Sequence, residues 1–77
     1  MKTLTFAENV EFDLEERFIP IGATYEVADL PIQYEGFTPV IITWAMDCCG
    51  NKINVNNVVD YFSNDSFVEY KSMEKAS

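Results

Sequence analysis

The stretch of residues 38–46 is the most apolar and most β-branched part of the chain. Such side chains favour extended backbone because they pack well on a pleated surface. Residues 47–51 follow with the composition of a hairpin loop, in which Gly50 can adopt the positive φ that a tight turn demands. Residues 52–55 then read as a return strand. The sequence therefore predicts a central β-hairpin.

Apolar and polar residues alternate in the N-terminal part of the chain, as they do in half-buried strands. The apolar positions are Leu4, Phe6, Val10, Phe12 and Leu14. A helix over residues 9–17 is the alternative, since Leu14 and Phe18 are four apart, but it would scatter the apolar residues around the cylinder. After a turn at Gly22, residues 23–30 alternate again, with Tyr25 and Val27 on one side. Residues 31–36 are expected to form a loop.

The C-terminal third predicts one helical element. Val55, Val58, Val59 and Phe62 have the spacing i, i+3, i+4 and i+7, and Asn56 is a favourable cap, so we expect a short helix or 3₁₀ turn around residues 56–62. Residues 66–71 are predicted to form a closing strand, and residues 72–77 a frayed tail. Because the chain has 77 residues, residues 1–71 are expected to form a single small domain.

Together these elements predict a mainly β fold, a small antiparallel barrel with one short helix or 3₁₀ turn before the last strand. The order of residues 18–71 resembles small SH3-like barrel proteins of bacteria and phages. The residues that carry the resemblance are Phe18, Gly22, Tyr25, Val27, residues 40–47, Gly50, Ile53, residues 58–62 and residues 67–70. The resemblance implies a five-stranded barrel.

The chain departs from the SH3 domains that bind proline-rich peptides. Trp44 is a lone tryptophan within an apolar strand, whereas those domains have a tryptophan pair at an exposed strand start. Their Ala-Leu-Tyr start and the proline before their terminal tyrosine are also missing. We therefore do not expect this chain to bind proline-rich peptides.

Charge and composition argue against catalysis. The chain has 13 acidic and 5 basic residues, a net charge of −8, and no histidine. It also lacks a glycine-rich phosphate loop, so we expect no enzymatic activity and no cofactor. Residues 40–46, the longest apolar stretch, are far fewer than the roughly 20 that cross a bilayer. Because Thr5 and Glu8 interrupt the apolar start, no secretory signal is recognised, and a soluble cytoplasmic protein is expected.

Cys48 and Cys49 are adjacent, and a disulfide between neighbours is strained because the bridge prefers Cα atoms about 5.5 Å apart. Reduced, incidental thiols are the first expectation. Two cysteines supply only half of a zinc site, so no metal site is assigned, but a zinc or disulfide bridge between two chains is left open. The Asp and Asn residues between positions 47 and 65 lack the spacing of a calcium loop and suit turns and caps.

The strongest functional signal is the clustering of acids. Residues 8–35 contain eight acidic residues and one arginine, a local charge of −7. In a strand, Glu11, Asp13 and Glu15 project on one face about 7 Å apart, comparable to the phosphate spacing of a nucleic-acid strand. An ordinary solvated face is the alternative. The candidate partner-binding residues are Glu8, Glu11, Asp13, Glu15, Glu16, Tyr34 and Phe37.

Aromatic residues form two further groups. Tyr34, Phe37 and Trp44 surround the loop before the central strand and suit an interface if exposed, although burial is expected for Trp44. The aromatic residues near the C-terminus are expected to close the core: Tyr61, Phe62, Phe67 and Tyr70.

The sequence thus predicts a small acidic module that binds a protein partner with a basic surface. A nucleic-acid mimic that blocks a nucleic-acid-binding site, such as an inhibitor encoded by a phage or mobile element, has this size and charge. Because the chain is acidic, direct binding to nucleic acid or to anionic membrane is not expected. The alternative function is a structural subunit that forms a homodimer or larger homo-oligomer through the aromatic residues near Tyr34.

Overall fold

A computed structural model describes residues 2–11 and 17–70 as an antiparallel β-sheet curled into a half-barrel, with a short 3₁₀ turn near the C-terminal end. The elements are β1 (Thr3–Thr5), β2 (Val10–Glu11), β3 (Phe18–Ile19), β4 (Thr24–Val27), β5 (Phe37–Met46), β6 (Lys52–Ser63) and the 3₁₀ turn (Asn64–Ser66). The predicted fold class is confirmed, because the architecture is mainly antiparallel β and consistent with a small SH3-like barrel.

The β5–β6 hairpin is the largest element, and it confirms the predicted central strand, loop and return strand. Its ladder runs from the pair Phe37–Ser63 to the pair Met46–Lys52. At the tip, the Asp47 N–H donates to the carbonyl of Asn51 at 2.9 Å, and Gly50 has a φ of 84°. This positive φ is the one that a glycine adopts without a steric penalty.

The opposite edge of β5 holds the rest of the sheet. β4 pairs with the middle of β5 through Val27 and Val40, and β3 pairs with its end through Phe18 and Met46. β1 then pairs with β4, and β2 pairs with β3. The apolar and β-branched character of β5 is therefore explained by its position between neighbours on both edges.

The helix predicted around residues 56–62 is wrong, because β6 continues through Ser63. Its pairing with β5 is interrupted by a bulge opposite Thr43, where Asn56 and Asn57 both have a φ of 57°. Asparagine tolerates this left-handed conformation better than most residues. The bulge shifts the pairing register between the two parts of β6, so the valines have a helical spacing although they lie in a strand. Pairing with β5 outweighs this local pattern.

The strand predicted over residues 66–71 is also wrong. Phe67 forms a single bridge with Phe6, and residues 68–70 are helical. The Ala7 N–H donates to the carbonyl of Ser66 at 2.7 Å, next to this bridge. Immediately after the 3₁₀ turn, Phe67 pairs with Phe6 through one bridge. The C-terminal segment therefore adds a single bridge to the sheet and no further strand. The tail predicted for residues 72–77 lies outside the described residues.

Buried side chains from all parts of the sheet form one core cluster. Its largest fully buried side chains are Phe6, Phe67, Leu4, Ile19, Ile42 and Val40. The Phe6 ring lies 4.7 Å from that of Phe67 and 5.2 Å from that of Phe62, measured between centroids. The core therefore joins the first strand to the C-terminal segment. No helix among the described residues has the length and apolar character to cross a membrane.

Candidate functional site

Three aromatic residues form a surface cluster, the aromatic patch, which consists of the exposed Tyr34 and Phe37 and the half-buried Tyr61. Tyr34 is 55% exposed and Phe37 is 49% exposed. The Tyr34 and Tyr61 rings meet edge to face with centroids 4.9 Å apart. Together with Glu35, the three residues line an open cavity of about 450 Å³. The structure therefore brings the predicted residues Tyr34 and Phe37 together on one surface.

The sheet and the preceding loop both position the aromatic patch. Tyr61 lies in β6 opposite Pro39, and Phe37 begins β5. The Tyr61 hydroxyl donates to the carbonyl of Ile32 at 2.7 Å, and the Phe37 N–H donates to the carbonyl of Tyr34 at 3.1 Å. These two hydrogen bonds hold the loop against the hairpin, so the patch has a defined shape.

A second cavity of about 300 Å³ adjoins the aromatic patch and shares Tyr34 and Phe37 with it. Asp29 and Lys2 line this second cavity, whereas Glu35 lines the first. Asp29 and Glu35 are exposed. The patch therefore has the arrangement of many protein interfaces, in which apolar anchors are surrounded by polar groups.

The predicted acidic residues have separate positions. Glu8 is exposed, and its carboxylate accepts a hydrogen bond of 3.3 Å from the Ser66 hydroxyl, which gives it a structural contact. Glu11 is exposed in β2, opposite Phe18. Asp13, Glu15 and Glu16 lie outside the described residues. Of the seven predicted residues, the structure thus brings together the two aromatic ones, and it places Glu8 between β1 and β2 and Glu11 in β2.

Trp44 and Tyr61 differ from the positions expected for them. Trp44 is half-buried, packs on the core at 5.7 Å from the Tyr25 ring, and carries the Lys52 ammonium 4.6 Å from its centroid. It is therefore not part of the aromatic patch. Phe62 is buried as expected, but its neighbour Tyr61 faces the patch because successive strand residues point to opposite faces. Alternation along a strand indicates that Tyr61 faces away from Phe62, but the helix predicted over residues 56–62 places both in the core.

The tip of the β5–β6 hairpin carries the two cysteines and Asp47. Cys48 and Cys49 are exposed thiols with sulfur atoms 3.8 Å apart. The backbone N–H of Asn51 holds the pKa of the Asp47 carboxyl below its usual value, and the Cys49 N–H contributes in the same direction. Within residues 2–11 and 17–70, no three Cys, His, Asp or Glu side chains cluster as metal ligands.

The chain matches no family model, and the comparisons with curated proteins and with solved structures give no match either. Function is therefore argued from the surface itself.

Proposed function

We propose that the protein is a small acidic, non-enzymatic binding module that docks on a basic surface of a larger protein. The aromatic patch carries this proposal, because Tyr34 and Phe37 are large, exposed and fixed in place by the hairpin. Exposed aromatic side chains that fill a partner's pocket supply much of the binding energy of protein interfaces. The charged residues beside the patch are Asp29, Glu35 and Lys2, with a sum of −1, which favours a partner whose pocket is surrounded by lysine or arginine.

The overall charge supports the same class of partner. A net charge of −8 on 77 residues speeds encounter with basic surfaces and disfavours nucleic acid and anionic lipid. Nucleic-acid-binding sites are one class of basic surface, because they neutralise phosphates with Lys and Arg. An inhibitor encoded by a phage or mobile element, acting in the cytoplasm as a nucleic-acid mimic, is the proposed context.

The test is partner capture by the tagged protein at low and at high salt. Glu11→Lys combined with Asp13→Lys, and separately Tyr34→Ala combined with Phe37→Ala, should each reduce capture. Glu26→Lys combined with Asp65→Lys makes the same charge change at exposed positions that line neither cavity of the patch, and should reduce capture less. If the first two variants capture the partner as the wild type does, with the same salt dependence, the docking proposal is wrong.

A homo-oligomeric structural subunit is the second candidate. The exposure of the aromatic patch favours it too, because a second copy can cover the same apolar surface. Light scattering over a range of protein concentrations separates the two candidates. A stable oligomer that Tyr34→Lys dissociates, together with no captured partner, would establish the structural role. A monomer that captures a partner would reject it.

A further inference from the structure

A tight turn positions the side chains that line the cavity of the aromatic patch. The Phe37 N–H donates to the carbonyl of Tyr34 at 3.1 Å, and Gly36 between them has a φ of 84°. A type II turn requires a positive φ at its third residue, and glycine adopts it without a steric penalty. The Asn64 N–H donates to the Gly36 carbonyl at 2.9 Å. The turn therefore holds Tyr34, Glu35 and Phe37 on a backbone that is attached to the 3₁₀ turn.

The rings of the aromatic patch form a corner rather than a flat surface. The planes of the Tyr34 and Tyr61 rings are inclined by 83°, and Phe37 lines the same cavity of about 450 Å³. This volume lies within the range of ligand pockets, roughly 300–1,000 Å³. The faces of aromatic rings carry negative partial charge, and they bind a cation that lies within about 6 Å of a ring centroid. A cation in this cavity can therefore contact more than one ring.

A carboxylate lies beside the rings. Among the described residues, Glu35 is the one charged residue that lines this cavity, and it is exposed. Asp29 and Lys2 line the adjoining cavity, so the charge around the patch stays negative. A ligand that contacts the rings and the carboxylate together has to be cationic and has to offer a flat apolar surface.

Arginine meets both requirements better than lysine does. Its guanidinium is planar, stacks on aromatic faces and presents N–H groups in a fork that pairs with a carboxylate. The lysine ammonium is a compact charge that is more strongly hydrated, so it loses more solvation when it enters an apolar cavity. Arginine is also enriched, with tyrosine and tryptophan, among the residues that dominate the binding energy of interfaces.

We propose that the aromatic patch binds one arginine side chain of the protein partner, with the guanidinium against the rings of Tyr34, Phe37 and Tyr61 and paired with Glu35. The inference rests on the docking function proposed above, and it names the group that enters the cavity. The net charge of −8 attracts the kind of basic surface that carries such a side chain.

The test is a titration of the full chain with a capped glycine–arginine–glycine tripeptide, followed by the NMR signals of the aromatic rings. A second tripeptide has citrulline, which keeps the length and shape of the side chain without its charge, and a third has lysine. We expect saturable shifts of the Tyr34, Phe37 and Tyr61 signals with arginine, and about two- to fivefold weaker binding of the citrulline tripeptide. The lysine tripeptide should also bind more weakly. The ring of Phe6, which is fully buried in the core, should not shift.

Substitutions separate the carboxylate from the rings. Glu35→Gln should weaken arginine binding about two- to fivefold and leave citrulline binding unchanged. Glu26→Gln removes the same charge at an exposed position that lines neither cavity of the patch, and should leave both unchanged. Phe37→Leu keeps an apolar side chain but removes a ring, and should weaken arginine binding. Circular dichroism checks that each variant keeps the wild-type fold.

Four results would overturn the proposal. These are the absence of a saturable shift with the arginine tripeptide, equal binding of the arginine and citrulline tripeptides, tighter binding of the lysine tripeptide, and an arginine affinity of Glu35→Gln that equals that of the wild type.

The docking function fails separately. Partner capture that depends on Tyr34 and Phe37, together with equal binding of the arginine and citrulline tripeptides, would keep the docking function and reject the arginine site. Selective arginine binding, together with capture that Tyr34→Ala combined with Phe37→Ala does not affect, would reject docking through the patch and keep the arginine site.

Discussion

The hydroxyl of Tyr25 donates a 2.8 Å hydrogen bond to the backbone carbonyl of Trp44, and the two rings lie 5.7 Å apart. The contact ties β4 to the end of β5 beyond the point where the two strands pair. Tyr25 is only 3% exposed, and burial raises its pKa to about 12. A charged phenolate at this position would lose both its solvation and its role as donor.

Stability should therefore fall at high pH through Tyr25. Its pKa is higher in the folded chain than the ordinary value of about 10, so its contribution is fully present below about pH 10 and is lost as the pH rises towards about 12. Tyr25→Phe should cost about 1 kcal/mol at neutral pH. Because two pKa units correspond to about 2.7 kcal/mol, the wild type should lose this advantage over the window and become the less stable of the two near its upper end. Urea unfolding at several pH values measures the difference in the free energy of unfolding.

Tyr34→Phe, at an exposed ring, is the control. A difference between Tyr25→Phe and the wild type that is constant with pH would contradict the prediction.

Phe6 is expected to be the most sensitive core position. It is fully buried and contacts Phe62, Phe67 and Tyr25 by ring–ring packing. Phe6→Ala should cost about 3–5 kcal/mol, which is comparable with the whole stability of a domain of this size.

Chemical denaturation followed by circular dichroism measures this cost. Phe6→Leu should retain the fold at a smaller cost, and Phe37→Ala, at an exposed ring, should cost no more than about 1 kcal/mol. Equal losses for Phe6→Ala and Phe37→Ala would mean that the core is not organised around Phe6.

The sequence predicted those parts of the fold that rest on local patterns. The β5–β6 hairpin follows from an apolar β-branched run and a turn containing Gly50, and both signals lie within 20 residues of each other. The burial of Leu4 and Phe6 follows from alternation alone. These features need no knowledge of distant partners.

Features that depend on distant pairing were not predicted. The bulge at Asn56 and Asn57 is stabilised by the ladder with β5, and valine spacing alone suggested a helix. The same helical spacing predicts Tyr61 in the core, so the sequence identifies only Tyr34 and Phe37 of the aromatic patch. The thiol separation at Cys48 and Cys49 likewise depends on loop geometry that residue types do not specify.

The bulge gives a prediction about backbone conformation. A β-branched residue in the left-handed region costs roughly 1–2 kcal/mol, so Asn56→Val or Asn57→Val should destabilise the protein by about this amount. Asn56→Gly and Asn57→Gly should be nearly neutral, because glycine adopts a positive φ without penalty. Thermal and urea unfolding of the four variants measure the difference. Equal stability of the valine and glycine variants would show that these residues do not adopt a positive φ in solution.

Asp47 gives a prediction at acidic pH. Hydrogen bonds, first from the Asn51 N–H, lower the pKa of its carboxyl below its ordinary value in the folded chain. The charged carboxylate therefore stabilises the fold above the unfolded pKa, and this contribution is lost as the pH falls through the lower folded pKa. Asp47→Asn keeps an acceptor oxygen but cannot titrate, so the stability advantage of the wild type over this variant should diminish as the pH falls below the ordinary range of a carboxyl pKa. Urea unfolding across this range measures the advantage, and the ¹³C shift of the Asp47 carboxyl reports its titration directly. A carboxyl that titrates at or above its ordinary pKa, or an advantage that does not change with pH, would show that the loop hydrogen bonds do not select the charged form.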